Sequence, residues 1–390
     1  MATHYFASHH GGIEIVAEQL FHHLTAAGHE VVWIAGDNTP PPEACGKSHA
    51  NPIRVLNSVE RKIGLPFPIP TIASLGTIRA EVYKADLVLL HDCLYLSNVA
   101  AFREARLKGV PTIVVQHIGY VPYANFALNA MMRIANTTMT RPILRRASQV
   151  VFISERTQQF FSDLTFRRPP KLIFNGVDAN LYRPVRSTGE RAELRKCFDL
   201  PKSHPVILFV GRFVEKKGLA ILQRMAAMKP DYVWAFAGWG PLDPRAWNAA
   251  NVKVFLGLRG ESIAALYRAC DILVLPSVGE GFPLVVQEAL ASGLPVVCGS
   301  ETISADPEVA HLASGVAIHL ADPEHTATAC VDAVERMLNC EVEGNQSSLR
   351  REFALHRYSW QQSAERYLQL AKELVFQHSD QLAASPGNSQ

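Results

Sequence analysis

The chain predicts an α/β protein of two halves, each a parallel sheet covered by helices. Three observations support this. Its 390 residues exceed one ordinary core and suit two domains of roughly 150–200 residues. Short runs of Val, Ile and Leu alternate with helical stretches along the chain, as in strands buried on both faces. The alternation also restarts once, beyond a polar stretch containing Pro184, Ser187 and Gly189.

In chain order, Glu14 to Ala27 reads as an amphipathic helix. Ile13, Val16, Ala17, Leu20 and Leu24 recur at helical spacing, and Gly28 supplies the stop. Strands are expected at 31–35, 86–90, 112–115 and 150–153, with loops at the Pro-rich stretches 39–42 and 66–70. Asn175-Gly176-Val177-Asp178 begins the linker. Strands resume at 206–210, 233–237, 252–256, 272–275 and 296–297. Leu284 to Ala291 reads as a helix, Trp360 to Leu374 as a last amphipathic helix, and 377–390 as a disordered tail. The expected units are an N-terminal domain 1–178, a C-terminal domain 185–358, a final helix 359–376 and the tail.

Composition excludes several classes. With 48% hydrophobic and 19% charged residues the chain is globular, not disordered. No apolar run approaches the roughly 18 residues of a spanning helix, and a signal peptide's basic start and apolar core are missing. The seven cysteines are scattered without a CxxC pair, which suits reduced thiols in a cytoplasmic protein. Residues 1–180 carry 17 Lys/Arg against 13 Asp/Glu (+4) and the remainder 21 against 23 (−2), too weak a bias for a nucleic-acid binder. Arg133, Arg141, Arg145 and Arg146 intersperse with Met131, Met132, Ile134, Met139, Ile143 and Leu144. That mixture suits an anionic membrane surface or a helix packing its apolar face inward, so a peripheral contact on the inner membrane face stays open.

Chemistry concentrates after the strand 272–275. In Ser277-Val-Gly-Glu280-Gly-Phe-Pro-Leu-Val-Val-Gln-Glu288, two carboxylates lie eight residues apart, close to two helical turns. Both can face the crevice at the carboxyl end of a sheet, beside helix N–H groups able to hold an anion. Gly211-Arg212-Phe-Val-Glu-Lys216-Lys217-Gly218 follows another strand, and Arg212 and Lys217 can converge on a diphosphate there. Gly11-Gly12-Ile13-Glu14 opens the first helix. Gln116-His117 and His91-Asp92 each close a strand, where a loop histidine or a strand-end cap would fit as well. His9 and His10 read as exposed loop residues. Gly238-Trp239-Gly240 is not a dinucleotide fingerprint, because Asp243 stands at the third glycine.

Together these elements resemble the retaining GT-B glycosyltransferases of family 4, which include sucrose-phosphate synthases and bacterial polysaccharide transferases. The resemblance runs from Gly11 to the last helix. It implies two Rossmann-like domains facing a central cleft, with the C-terminal helix crossing back to the first domain. A sugar would pass from a UDP- or GDP-sugar to the hydroxyl of a carbohydrate or lipid-linked acceptor with retention, in bacterial polysaccharide or glycolipid synthesis. By the resemblance, Arg212 and Lys217 hold the diphosphate, Glu288 the ribose and Glu280 the sugar hydroxyls. Gly12, Gly281, Phe282 and Leu284 add donor contacts, His117 meets the sugar at the reacting centre, and His91 and Asp92 lie toward the acceptor. No cofactor and no metal are implied. The chain departs from the family at Trp239, where smaller or polar residues are usual, and at Pro283, which lacks an N–H. It also opens with Met1-Ala2-Thr3-His4-Tyr5-Phe6 where relatives carry more apolar residues, so the first central strand is expected to be nearly absent. Two alternatives share the fold: a phosphorylase or epimerase, for whose pyridoxal type the chain is short, and a nucleotide-sugar-binding or membrane-associated partner subunit.

Overall fold

The structure, a computed structural model, describes residues 1–9, 11–57, 68–119, 126–343 and 346–383. His10, Tyr120, positions 66 and 67 of the Pro-rich stretch and 384–390 of the expected tail fall outside these. The chain divides into two compact units. One runs from Met1 to Asn175 and takes in the helix from Trp360; the other is Gly176–Ser359.

The first unit contains β1 (Val32–Gly36), β2 (His49–Ile53), β3 (Val55–Leu56), β4 (Ile69–Pro70), β5 (Val88–His91), β6 (Thr112–Gln116), β7 (Gln149–Phe152) and β8 (Lys171–Leu172). β1 pairs with β2, β3 with β4, and β5 to β8 pair in succession; all but β3–β4 are parallel. The central strand expected to be missing is present in short form. Met1–His4 lies between β1 and β5: Ala2 N–H donates to Leu89 O (2.9 Å), Thr3 N–H to Ile34 O (3.1 Å), and His91 N–H to Ala2 O (3.1 Å). Backbone pairing on both sides makes the strand, and a long apolar run is not required for it. Ala2 then joins Ile34, Leu90, Val114 and Phe152 in one buried core.

The second unit is a single six-stranded parallel sheet. β9 (Val206–Arg212), β10 (Val233–Trp239), β11 (Val252–Phe255), β12 (Ile272–Leu275), β13 (Val296–Gly299) and β14 (Ala313–Val316) lie in the order β11-β10-β9-β12-β13-β14. The β-branched runs are buried along both faces, from Val206 to Phe209 and from Ile272 to Leu275. The order turns at β9, so the loops after β9 and β12 open beside each other, the place where open α/β sheets bind ligands.

The last helix is longer than the sequence suggests. It spans Trp360–Ala383 where a tail was expected from 377, because no Pro or Gly interrupts Gln377 to Ala383. Within the first unit it packs on the helix Gly12–Ala26, and Ser363 Oγ donates to Phe174 O at 2.8 Å. Asn175–Asp178 is a tight segment, with Asp178 Oδ1 accepting from the N–H groups of Asn180 and Leu181.

Candidate functional site

In the second unit the loop after β9 tightens into a turn, Glu215–Lys217, that ends on Gly218. Gly218 has φ 73°, and a Cβ there would stand 2.2 Å from Pro276 O, so only glycine lets this turn press on the segment after β12. Val278 N–H donates to Lys216 O at 3.0 Å and locks the two segments together. The result brings Lys217 Nζ to 3.0 Å and Lys216 Nζ to 3.5 Å from Glu280 Oε1. Burial would raise the Glu280 carboxyl, but Lys217 and then Lys216 outweigh it and hold it at about 2. Burial pushes Lys217 below its ordinary value; Glu280 opposes this, while Lys216 and Arg212 add to it. Arg212 thus belongs to the same cluster. Its guanidinium lies 5.1 Å from the Trp239 ring centroid, and its buried Nε makes no hydrogen bond among the described residues. Trp239, out of pattern in the sequence, is the plate on which that arginine rests.

Glu288 has other partners. On the helix Leu284–Ala291, it accepts a 2.7 Å hydrogen bond from Tyr267 Oη and a second from the Tyr182 hydroxyl. Burial pushes its carboxyl up, and the two phenols pull it part of the way back. Glu280 therefore meets the cations and Glu288 meets two tyrosines. Pro283 caps this helix at φ −64°, so its first N–H groups are those of Leu284 and Val285. Gly281 and Phe282 are buried, the Phe282 ring packing at 5.4 Å on Tyr358.

The first unit gathers a second polar cluster at the carboxyl ends of its strands. His91 Nδ1 and His117 Nε2 share a hydrogen bond at 3.1 Å, and both rings are buried. Burial drives both below the ordinary histidine range: His91 well below, aided by His117, and His117 to about 3. Glu14, on the first helix, accepts from or pairs with His4 Nε2 at 2.9 Å, and His4 stacks on Tyr95 at 3.6 Å. Glu14 and His4 both act electrostatically on His117, so the four residues form one group. His4, Glu14 and Tyr95 escaped the sequence reading as site residues. The signal available was Glu14 three positions into a Gly-Gly-led helix; His4 gave none until Met1–His4 proved to be a strand.

His91 and Asp92, expected toward the acceptor, are buried, and His91 Nε2 and Asp92 Oδ2 make no hydrogen bond among the described residues. They are 0% and 1% exposed. Asp92 Oδ1 accepts from Cys93 N–H (2.7 Å) and Gln116 Nε2 (3.3 Å), while Asn98 Nδ2 ties the carbonyls of His91 and Asp92. Their partners make them braces of the strand end. Gly12 opens its helix with nothing within 4 Å of where a Cβ would stand, so space remains beside its amide.

A cavity of about 470 Å³ at the amino ends of β9, β12 and β13 lies away from these groups. Its arginines are already engaged: Arg191 and Arg195 share Asp271 (2.7 and 2.5 Å), Arg195 caps the Ala269 carbonyl, and Arg268 pairs with Glu190 and Glu261. It is a structural joint. Among the described residues, no group of three or more His, Cys, Asp or Glu is placed to hold a metal.

Known proteins resemble this chain along most of its length. Residues 10–181 match the family described as Glycosyltransferase Family 4, and residues 204–339 match Glycosyl transferases group 1. A D-inositol 3-phosphate glycosyltransferase from Saccharomonospora viridis is 31% identical over 77% of this chain and 74% of its own length. A GDP-mannose-dependent alpha-mannosyltransferase from Mycobacterium tuberculosis is 29% identical over 73% and 74%. Sucrose-phosphate synthase from Thermosynechococcus elongatus superposes with a TM-score of 0.72 at 22% identity, covering 93% of this chain and 94% of that one. HepE from Anabaena, solved with UDP and glucose, gives 0.70 at 16%, covering 96% and 98%. The fold is that of the GT-B glycosyltransferases.

Proposed function

The chain belongs to glycosyltransferase family 4, and on that premise we propose that it transfers a sugar from a nucleoside diphosphate sugar to a hydroxyl acceptor with retention. The observation that carries the reading is the Arg212, Lys216, Lys217 and Glu280 cluster. Two lysines paired with one carboxylate, with Arg212 acting on Lys217, can neutralise a pyrophosphate, and the carboxylate can accept sugar hydroxyls. Lys217 and Arg212 stabilise the charge that builds on the leaving phosphate. Glu280, the carboxylate of this cluster, is committed to Lys217 and Lys216 and is not cast as a nucleophile, so the leaving phosphate oxygen takes the acceptor proton on the face it departs from. Fixed cations do here what a divalent metal does in other transferases, so the reaction needs none. Glu288, held by Tyr267 and Tyr182, receives the ribose once a hydroxyl replaces or joins a phenol. By the family resemblance alone His117 is assigned to the sugar; within its own unit it shares a hydrogen bond with His91 and feels the charges of Glu14 and His4.

GDP-mannose is the first donor to test, because two relatives are named for that donor; the phosphate cluster suits any nucleoside diphosphate sugar. The acceptor is a carbohydrate or lipid-linked hydroxyl of a bacterial polysaccharide or glycolipid pathway, reached from the cytoplasmic side. The experiment is a thermal-shift screen of GDP- and UDP-sugars followed by release of nucleoside diphosphate. A selective shift with turnover that vanishes in Lys217→Ala supports the reading. Donor binding without turnover toward any hydroxyl acceptor would instead favour a nucleotide-sugar-binding subunit.

A further inference from the structure

The first unit carries a groove of about 400 Å³ that the proposed reaction does not use. It runs between the helix Leu96–Lys108 and the stretch Asn136–Arg146, and its wall includes Val99, Phe102, Arg103, Arg106, Ile143 and Arg146. No acidic residue lines it. Arg103, Arg106 and Arg146 make no ion pair among the described residues, and Glu104, the one acid of the helix, turns to Arg79 at 3.6 Å. Leu107 beside it is 66% exposed, and Met131 and Ile134, on the segment leading into the π-helical turn Asn136–Thr140, are 47% and 63% exposed. Unneutralised guanidinium groups around an apolar floor, flanked by bare Leu, Met and Ile, match one environment: phosphate headgroups above acyl chains.

We infer that this face docks on an anionic phospholipid bilayer, with Arg103, Arg106 and Arg146 on lipid phosphates and Leu107 at the acyl boundary. A strand-forming peptide does not fit, because both walls are helical and offer no edge for main-chain pairing, and an acidic helical peptide is the rival that the polyglutamate arm below tests. The inference bears on where the proposed transfer takes place and rests on that reading for its purpose alone. Its test reads membrane binding, which stands or falls apart from turnover.

The full chain is sedimented with phosphatidylcholine vesicles with and without phosphatidylglycerol. Binding is expected only with phosphatidylglycerol, partly resistant to high salt. Arg103→Gln/Arg106→Gln/Arg146→Gln should weaken partitioning on the order of 100-fold, at about a factor of five per arginine. Leu107→Asp should remove the salt-resistant part. Circular dichroism and the donor-induced thermal shift, unchanged in both variants, show that each is folded. Failure to bind phosphatidylglycerol vesicles, or equal binding by the triple variant, overturns the inference. So does retention on polyglutamate with none on vesicles, which would reassign the face to an acidic polypeptide.

Discussion

Lys217 and Glu280 are each other's condition for being charged inside the second unit. Burial disfavours both ions, and their 3.0 Å separation keeps the carboxyl at about 2. Replacing Glu280 with Gln leaves two lysines facing an uncharged amide, so it should spare nucleoside diphosphate binding while turnover falls on the order of 100-fold. Parallel GDP thermal shifts and initial rates check this; equal loss of both would place Glu280 among ordinary phosphate-turn supports. Histidine chemistry gives a second expectation. His91 and His117 are held below their ordinary value of 6.5, His117 at about 3. Below pH 6.5 the unfolded chain binds protons on both that the folded chain refuses, so stability is present above 6.5 and drains away as pH falls toward the folded values. Glu280, with its depressed carboxyl, adds its own loss only below its ordinary 4.5. Thermal melts between pH 6.5 and 4.5 should therefore steepen downward by at most about 1.4 kcal/mol per unit for each histidine. His91→Asn/His117→Asn should flatten that slope, and an unchanged slope would refute the assignment.

At the scale of elements, the glycines that matter are those where two segments nearly touch. A Cβ on Gly218 would strike Pro276 O at 2.2 Å, and one on Gly238 would strike Gly211 O at 1.9 Å. Gly218→Ala must push the Glu215–Lys217 turn off the segment after β12, breaking the Val278–Lys216 hydrogen bond that registers Lys217 on Glu280. It should cost about 2 kcal/mol or more and weaken donor binding with it, measured by denaturant melts and donor titration. Much at this scale was legible. The run Asp271 to Pro276 closes a strand and Leu284 to Ala291 forms the helix, because apolar period and Pro are local signals. What escaped was pairing. Glu288 was read only as facing a crevice with Glu280; its bonds to Tyr267 and Tyr182 come from other segments of the unit, and no local pattern announces a cross-element hydrogen bond. The first strand escaped for the same reason: Met1–His4 is a strand by virtue of β1 and β5 on either side.

For the whole molecule, two parallel sheets could be anticipated from alternation alone, whereas the chemistry at their edges needed chain positions far apart in sequence. The second sheet places Arg212 at the end of β9 and Glu280 beyond β12, its spatial neighbour, while first-unit strands set His4, His91 and His117 at one edge. That division has a consequence for metal dependence. A pyrophosphate carries charge that must be met at the moment the sugar leaves. On the proposed reading, Arg212 over Trp239, with Lys216 and Lys217, would supply it from fixed positions. A divalent ion would need carboxylates free to ligate it, and Glu280 is committed to two lysines and Glu288 to two phenols. Turnover should therefore be unchanged by EDTA and by added Mg²⁺ or Mn²⁺, whereas Arg212→Ala should lower kcat/KM by 100-fold or more, on the order of an oxyanion donor's loss. Trp239→Ala should reproduce a smaller part of that loss, about 1 kcal/mol, by freeing the guanidinium from its plate. Initial rates with and without chelator, on the native chain and both variants, check this: a rate that collapses in EDTA and returns with Mg²⁺ would show that the cations alone do not carry the leaving group.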